Sequence, residues 1–102
     1  LLGIISLSGG HGVIAADACS LHGINVPDID PSTEDTIRAK LSAGIRNIVS
    51  LANPVDLTGS CVDNDIMACV RHLSRDRNID CIMTLLIPYS PGVSADIGAK
   101  LS

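Results

Sequence analysis

The sequence contains no phenylalanine, no tryptophan and a single tyrosine, Tyr89. Such a chain must build its core from Ile, Leu, Val and Ala, as parallel sheets covered by helices do. The same lack removes the stacking platforms on which single-stranded nucleic acid is normally held. Basic charge is scarce too: seven Lys and Arg stand against eleven Asp and Glu, a net charge of −4 with a pI near 5.0. That balance excludes the electrostatic footprint of a nucleic-acid or anionic-membrane binder. No apolar run approaches the ~20 residues of a membrane span, and no basic segment precedes the first apolar run as in a secretory signal. The expectation is a cytoplasmic protein with no nucleic-acid and no membrane partner. Cys19, Cys61, Cys69 and Cys81 lack C-x-x-C spacing, and no His, Asp or Cys cluster has the spacing of metal ligands. The cysteines are expected to be small buried hydrophobes in a reducing compartment, with no metal site.

What is present argues for a packed fold. At 102 residues, 46% hydrophobic and a mean hydropathy of +0.39, the chain suits one domain over residues 1–102. It opens in mid-strand without an initiator Met, so it is expected to be a fragment of a longer multidomain chain. Leu1 to Leu7 is an apolar run of strand length, followed by the glycine-rich turn Ser8-Gly9-Gly10-His11-Gly12. A helix is expected from about Val13 to His22, with Val13, Ala16 and Ala18 or Leu21 toward a sheet and Gly23 as its stop. Ile24 to Val26 reads as a second strand. Asp30-Pro31-Ser32-Thr33-Glu34-Asp35 is a dense helix start, and that helix carries Ile37 and Leu41 and ends near Gly44.

Ile48 to Leu51 reads as a third strand, leading into a second loop, Asn53-Pro54-Val55-Asp56-Leu57-Thr58-Gly59. Ser60 and Asp63 have capping-box spacing ahead of a helix with Ile66, Val70 and Leu73 on one face and Arg71, His72 and Arg75 at its end. Cys81 to Ile87 is the most apolar strand. Pro88 to Gly92 is a turn, and a last helix runs from Val93 to Leu101. The alternation predicts an α/β fold, a three-layer α/β/α arrangement around a parallel sheet joined by right-handed crossovers. The natural flavodoxin-like strand order is 2-1-3-4, with a fifth strand expected beyond Ser102. It places the two loops side by side at the carboxyl edge of the sheet.

A strand-to-helix junction presents free backbone N–H groups at the positive end of a helix dipole, which suits an anion. Ser8 to Gly12 is neither a Walker A loop nor a G-x-G-x-x-G fingerprint. Glycines at such a junction are also needed for backbone reasons alone, so the loop has both a structural and an anion-binding reading. In the second loop Asn53, Asp56, Thr58 and Ser60 are polar, Gly59 permits close approach and Pro54 stiffens the chain. Asp56 would repel phosphate if aimed at it, so it is expected to hold N–H groups of its own loop. His11 invites a catalytic role, but no second acid or base is tied to it by spacing.

The segment Gly3 to Cys19, with its GG-x-GV-x-AAD pattern, then Gly23-Ile24, then the NPVD of Asn53 to Asp56 followed by Leu57-Thr58-Gly59, resembles the nucleoside-diphosphate-forming acyl-CoA synthetases. These ADP-forming enzymes are relatives of succinyl-CoA synthetase, and the resemblance spans nearly the whole chain. It implies a flavodoxin-like domain of an acid–thiol ligase that converts acyl-CoA, ADP and phosphate to acid, CoA and ATP through a phosphohistidine. It further implies that Ser8, Gly9, Gly10 and Gly12, with Thr58, Gly59 and Ser60, bind that phosphohistidine, while Asn53, Pro54 and Asp56 shape the second loop. No catalytic residue is implied in this segment. The phosphorylated His of the family lies in another domain, and the position of His11 is commonly a small residue or Pro there. CoA, ADP or ATP and Mg belong to the full-length enzyme, through a CoA-binding and phosphohistidine-bearing domain and a nucleotide-binding ATP-grasp domain or subunit. The fragment alone is then inactive. The alternative is a non-catalytic, synthetase-like regulatory module of a protein acetyltransferase.

Overall fold

In the computed structural model, which describes residues 1–87 and 91–101, the elements are β1 (Leu2–Ser6), α1 (Gly9–Leu21), α2 (Pro31–Lys40), β2 (Val55–Asp56), α3 (Asp63–Leu73), β3 (Cys81–Leu85) and α4 (Ile97–Lys100). The three strands form one parallel sheet in the order β2-β1-β3. Successive residues of β1 serve opposite faces, as the pleat requires. Leu2 and Ile4 pack with Cys19, Ala15 and Ala16 of α1 on one side. On the other side Ile5 and Leu7 join Ile37 and Leu41 from the α2 region and Ile66, Cys69 and Leu73 of α3. The result is the expected three-layer α/β/α arrangement around a parallel sheet.

The strand order differs from 2-1-3-4, for reasons visible along one edge of β1. Ile24 to Val26 forms no ladder. Asn25 contributes only its carbonyl, which accepts from Leu2 N–H at 2.8 Å. The next positions on that edge are taken by a side chain. Asn53 Oδ1 accepts from Ile4 N–H at 3.0 Å, and its Nδ2 donates to the carbonyls of Leu2 at 2.9 Å and Pro27 at 2.8 Å. Only then does β2 begin, opposite Ile5 and Ser6. Ile48 to Leu51 is not a strand either. Ile45 and Val49 are buried one helical turn apart, with Val49 N–H donating to Ile45 carbonyl, and only Ser50 bridges, antiparallel, to Asp56. The strand beside β1 is therefore Val55–Asp56, inside the second loop, and Cys81–Leu85 lies directly on the other edge of β1.

Helix boundaries shift as well. The glycine-rich stretch is the first turn of α1, because Gly12 N–H already donates to Ser8 carbonyl at 3.1 Å. The face toward the sheet runs through Gly12, Ala15, Ala16 and Cys19, one residue out of register with the expected one, leaving Val13 56% and Leu21 86% exposed. Gly23 follows the helix with φ +71°, where a residue with a Cβ would be strained. The α2 start is as expected, with Pro31 at its first position and Asp30 accepting from Ser32 N–H, but the helix stops at Lys40. Helix α3 begins at Asp63 rather than next to Ser60. Asp65, not Asp63, reaches back to the preceding backbone: it accepts from Val62 N–H, and from the N–H and hydroxyl of Ser42, and is itself buried. Asp63 instead bonds Ser94 and Lys100, and these contacts hold its carboxyl down to about 2, the lysine first. The last helix is only the short α4; the turn expected at Pro88 to Gly92 lies partly outside the described residues.

Cys19, Cys61 and Cys69 are buried free thiols, whereas Cys81 is exposed on the outer strand β3. Gly3 marks the tightest point of the sheet. A Cβ there would meet Leu73 Cδ2 at 2.9 Å and Ile79 Cγ2 at 3.2 Å. Gly3→Ala should therefore cost about 1–2 kcal/mol by overpacking, which urea unfolding of the domain checks.

Candidate functional site

Because β2 neighbours β1, the chain leaving β1 and the second loop meet at the carboxyl end of the sheet. Ser6, the last residue of β1, turns the chain: its Oγ accepts from Ser8 N–H at 2.9 Å and donates to Ser8 carbonyl. Ser8 then takes the N-cap position of α1 with φ −140° and ψ 121°, but its side chain makes no capping bond. The first turn of α1 contains no acidic residue. Gly12 N–H is the first to find a carbonyl within the helix, so by helix geometry the N–H groups of Gly9, Gly10 and His11 project from its positive end.

Two of the glycines stand close to their neighbours. A Cβ on Gly12 would touch Pro54 and Ser6, each at 3.4 Å, and one on Gly9 would meet Asp56 Oδ2 at 2.9 Å. The helix can thus start directly against the strand end and the second loop. Gly10 is different: a Cβ there would meet nothing nearer than Ser8 Oγ at 4.0 Å. Its lack of a side chain leaves the end of the helix uncovered without being needed for packing.

The second loop is braced from within. Asp56 Oδ1 accepts from Thr58 N–H at 2.9 Å, and Thr58 Oγ1 accepts from Ser60 N–H at 3.2 Å. Thr58 has φ 67°, an uncommon conformation for a β-branched residue. The Asn53–Pro54 peptide is cis, and Asn53 is tied to β1 as described. A cavity of about 190 Å³ lies between the helix start and this loop, lined among others by Ser6, Gly9, Gly12, Pro54 and Asp56.

Of the residues singled out in the sequence, Gly9, Gly12, Pro54 and Asp56 come together around this cavity, with Ser8 and Gly10 on the adjoining turn. Thr58 connects to them through Asp56, while Gly59 and Ser60 are exposed and do not line the cavity. His11 is exposed on the first turn. Ser6 and Ser50 also line the cavity, outside the residues singled out in the sequence; the only signal for Ser6 is its position two residues before Ser8 at the end of an apolar run. Cys61, next to the loop, is no nucleophile. Burial, with Asp65 adding to it, pushes its thiol up to about 11, where almost none is thiolate at neutral pH. Among the described residues no three His, Cys, Asp or Glu side chains gather as a metal site, and no helix is long and apolar enough to cross a membrane.

This geometry can be set against known proteins. The chain is 36% identical over 87 residues to the acetate–CoA ligase [ADP-forming] I of Archaeoglobus fulgidus, an alignment covering 85% of this chain and 12% of that protein. Among solved structures it superposes on PH0766 from Pyrococcus horikoshii OT3 with a TM-score of 0.82 at 24% identity, over 98% of this chain and 22% of that one. It likewise resembles the dinucleotide forming acetyl-coenzyme A synthetase 1 of Ca. Korarchaeum cryptofilum in complex with phosphate and ADP, with a TM-score of 0.76 at 20% identity over 98% of this chain and 20% of that one. The chain thus spans about an eighth to a fifth of the length of these proteins. Residues 2–95 match the Ligase-CoA domain, and the chain belongs to that family.

Proposed function

We propose that this chain is one domain of a longer ADP-forming acyl-CoA synthetase, and that the first turn of α1 receives the phosphoryl group of a phosphohistidine carried by another domain. The observation that carries this reading is the bare end of α1. The N–H groups of Gly9, Gly10 and His11 project from it without an acidic residue in the first turn or a side-chain cap. Such an end favours an anion by helix dipole and by direct hydrogen bonds, with no proton transfer and no metal. A phosphoryl group arriving on a mobile arm would be held while charge builds on its oxygens, which is where fixed donors contribute most. Asp56 has one carboxylate oxygen engaged by Thr58 N–H, and the other lies beside Gly9 at the helix start.

A second feature supports the presence of further domains. Helix α1 is apolar on both sides: Gly12 and Cys19 are buried on the sheet, while Val13, Ile14 and Leu21 are more than half exposed on the rest of the helix. Large apolar side chains exposed beside one another on a helix are ordinarily covered by a further partner, and the Archaeoglobus relative is some eight times longer than the aligned segment. In this reading the other domains bring CoA, ADP with its magnesium ion, and the phosphorylated histidine, and the enzyme works in the cytoplasm. The domain described here contributes backbone amides and a docking face.

Two assays on the full-length protein test this. It should form ATP from an acyl-CoA, ADP and phosphate. After incubation with labelled ATP it should carry an acid-labile phosphate. His11→Ala should leave both unchanged, because His11 contributes its backbone N–H and not its imidazole. Loss of label in His11→Ala would make His11 the phosphorylated residue and overturn the assignment.

A further inference from the structure

Away from this site, three cations of an acidic chain share one groove. Lys40 of α2 and Arg71 and Arg75, in and just beyond α3, line a single groove of about 460 Å³ together with His72 and Asn64. They are three of the seven Lys and Arg residues in the whole sequence. Among the described residues no carboxylate lines this groove, and none forms an ion pair with Lys40, Arg71 or Arg75. The helix dipole accounts for a cation at the end of either helix taken alone. It does not account for their convergence, since like charges that share one groove repel.

His72 reports that convergence. Burial lowers its affinity for a proton, and Arg75, Lys40 and Arg71 each lower it further, so all three cations act on one imidazole from two elements. The adjoining hydroxyls are already committed and do not neutralise them. Ser32 Oγ donates to Asp30, and Thr36 Oγ1 donates to Ser32 carbonyl. The groove is a concentrated positive potential without an internal counter-charge.

We infer that the groove between α2 and α3 binds a diphosphate-bearing anion, with Arg71 and Arg75 each taking one phosphoryl group and Lys40 closing from the opposite helix. Arg71 and Arg75 bring two separate guanidinium groups to one groove, and each can bind the oxygens of one of two linked phosphoryl groups bidentately. Asn64 supplies a further amide donor at the same groove. The site is separate from the helix start of α1 and does not depend on the role proposed for it.

The experiment is a titration of the full-length protein with inorganic pyrophosphate, and in parallel with ADP, read at the His72 imidazole by NMR. Binding should raise the pH midpoint of His72, because the bound anion offsets the three cations. The double variant R71Q/R75Q should weaken binding by about 10-fold or more while leaving the amide spectrum elsewhere unchanged, both arginines being exposed. Equal responses to pyrophosphate and ADP identify the bare diphosphate as the group recognised, and a response to ADP alone identifies a nucleotide. No response of His72 to either anion, an undiminished one in R71Q/R75Q, or a response only to an acidic peptide would overturn the inference.

Discussion

Gly10→Asp should leave the domain folded, and slightly more stable, while reducing the proposed phosphoryl transfer by the full-length protein by about 10²-fold or more. The two effects have opposite signs because they arise at the same place for the same reason. Gly10 is the second residue of α1, and a Cβ there meets no atom closer than 4.0 Å. A carboxylate in a first helical turn is favourable to the dipole by about 0.3–1 kcal/mol, and replacing glycine within a helix adds a few tenths more. That same carboxylate would occupy or repel the position assigned to the phosphoryl group. A mutation that merely damaged the fold would lower both quantities together. Thermal unfolding and single-turnover phosphorylation, measured on one preparation, separate the cases. Normal transfer in Gly10→Asp removes the phosphate role.

Asn53→Ala should destabilise the domain by about 3 kcal/mol. The amide makes three hydrogen bonds of 2.8 to 3.0 Å to backbone groups of Ile4, Leu2 and Pro27, all in a partly buried setting. Each group left unpaired costs about 1–3 kcal/mol, reduced where water can enter. For a domain of this size each kcal/mol corresponds to about 4–8 °C in Tm, so a fall of more than about 10 °C is expected by calorimetry. Asn53→Asp sharpens the test. It keeps the shape and the acceptor for Ile4 N–H but turns a carboxylate oxygen toward the carbonyls of Leu2 and Pro27. It should be at least as destabilising as alanine, and wild-type stability in Asn53→Asp would contradict the assignment of Asn53 as the bridge between the second loop and β1.

That bridge also explains how far the structure could be read from the residues. The α/β alternation, the central first strand and the meeting of two loops at the carboxyl end of the sheet follow from apolar runs separated by helix signals. The strand beside β1 does not. A segment as short as Ile48 to Leu51 has no periodicity that separates a strand from a turn that buries Val49 and Leu51. A two-residue strand inside Asn53 to Gly59 gives no run at all. What fixes the pairing is a side chain, Asn53, occupying ladder positions that local sequence assigns to backbone.

The start of α1 was hidden for a related reason. Glycine is a poor helix former, so Gly9, Gly10 and Gly12 read as a turn. The close approach of the helix to Ser6, Pro54 and Asp56 outweighs that preference. Likewise either Asp63 or Asp65 could have capped α3, and the choice rests on Ser42, 23 residues before Asp65, which only the folded chain brings near.

The proposed phosphoryl site at the start of α1 is made of backbone amides. Selective ¹⁵N-glycine labelling of the full-length protein, followed by titration with inorganic phosphate, addresses it directly. Gly12 is a built-in control, because its N–H is already bonded to Ser8 carbonyl. Saturable shifts of the Gly9 and Gly10 amides are expected, with a much smaller shift of Gly12 and loss of the Gly9 response in Gly10→Asp. Gly9 and Gly10 signals that stay fixed at saturating phosphate would contradict the proposed site.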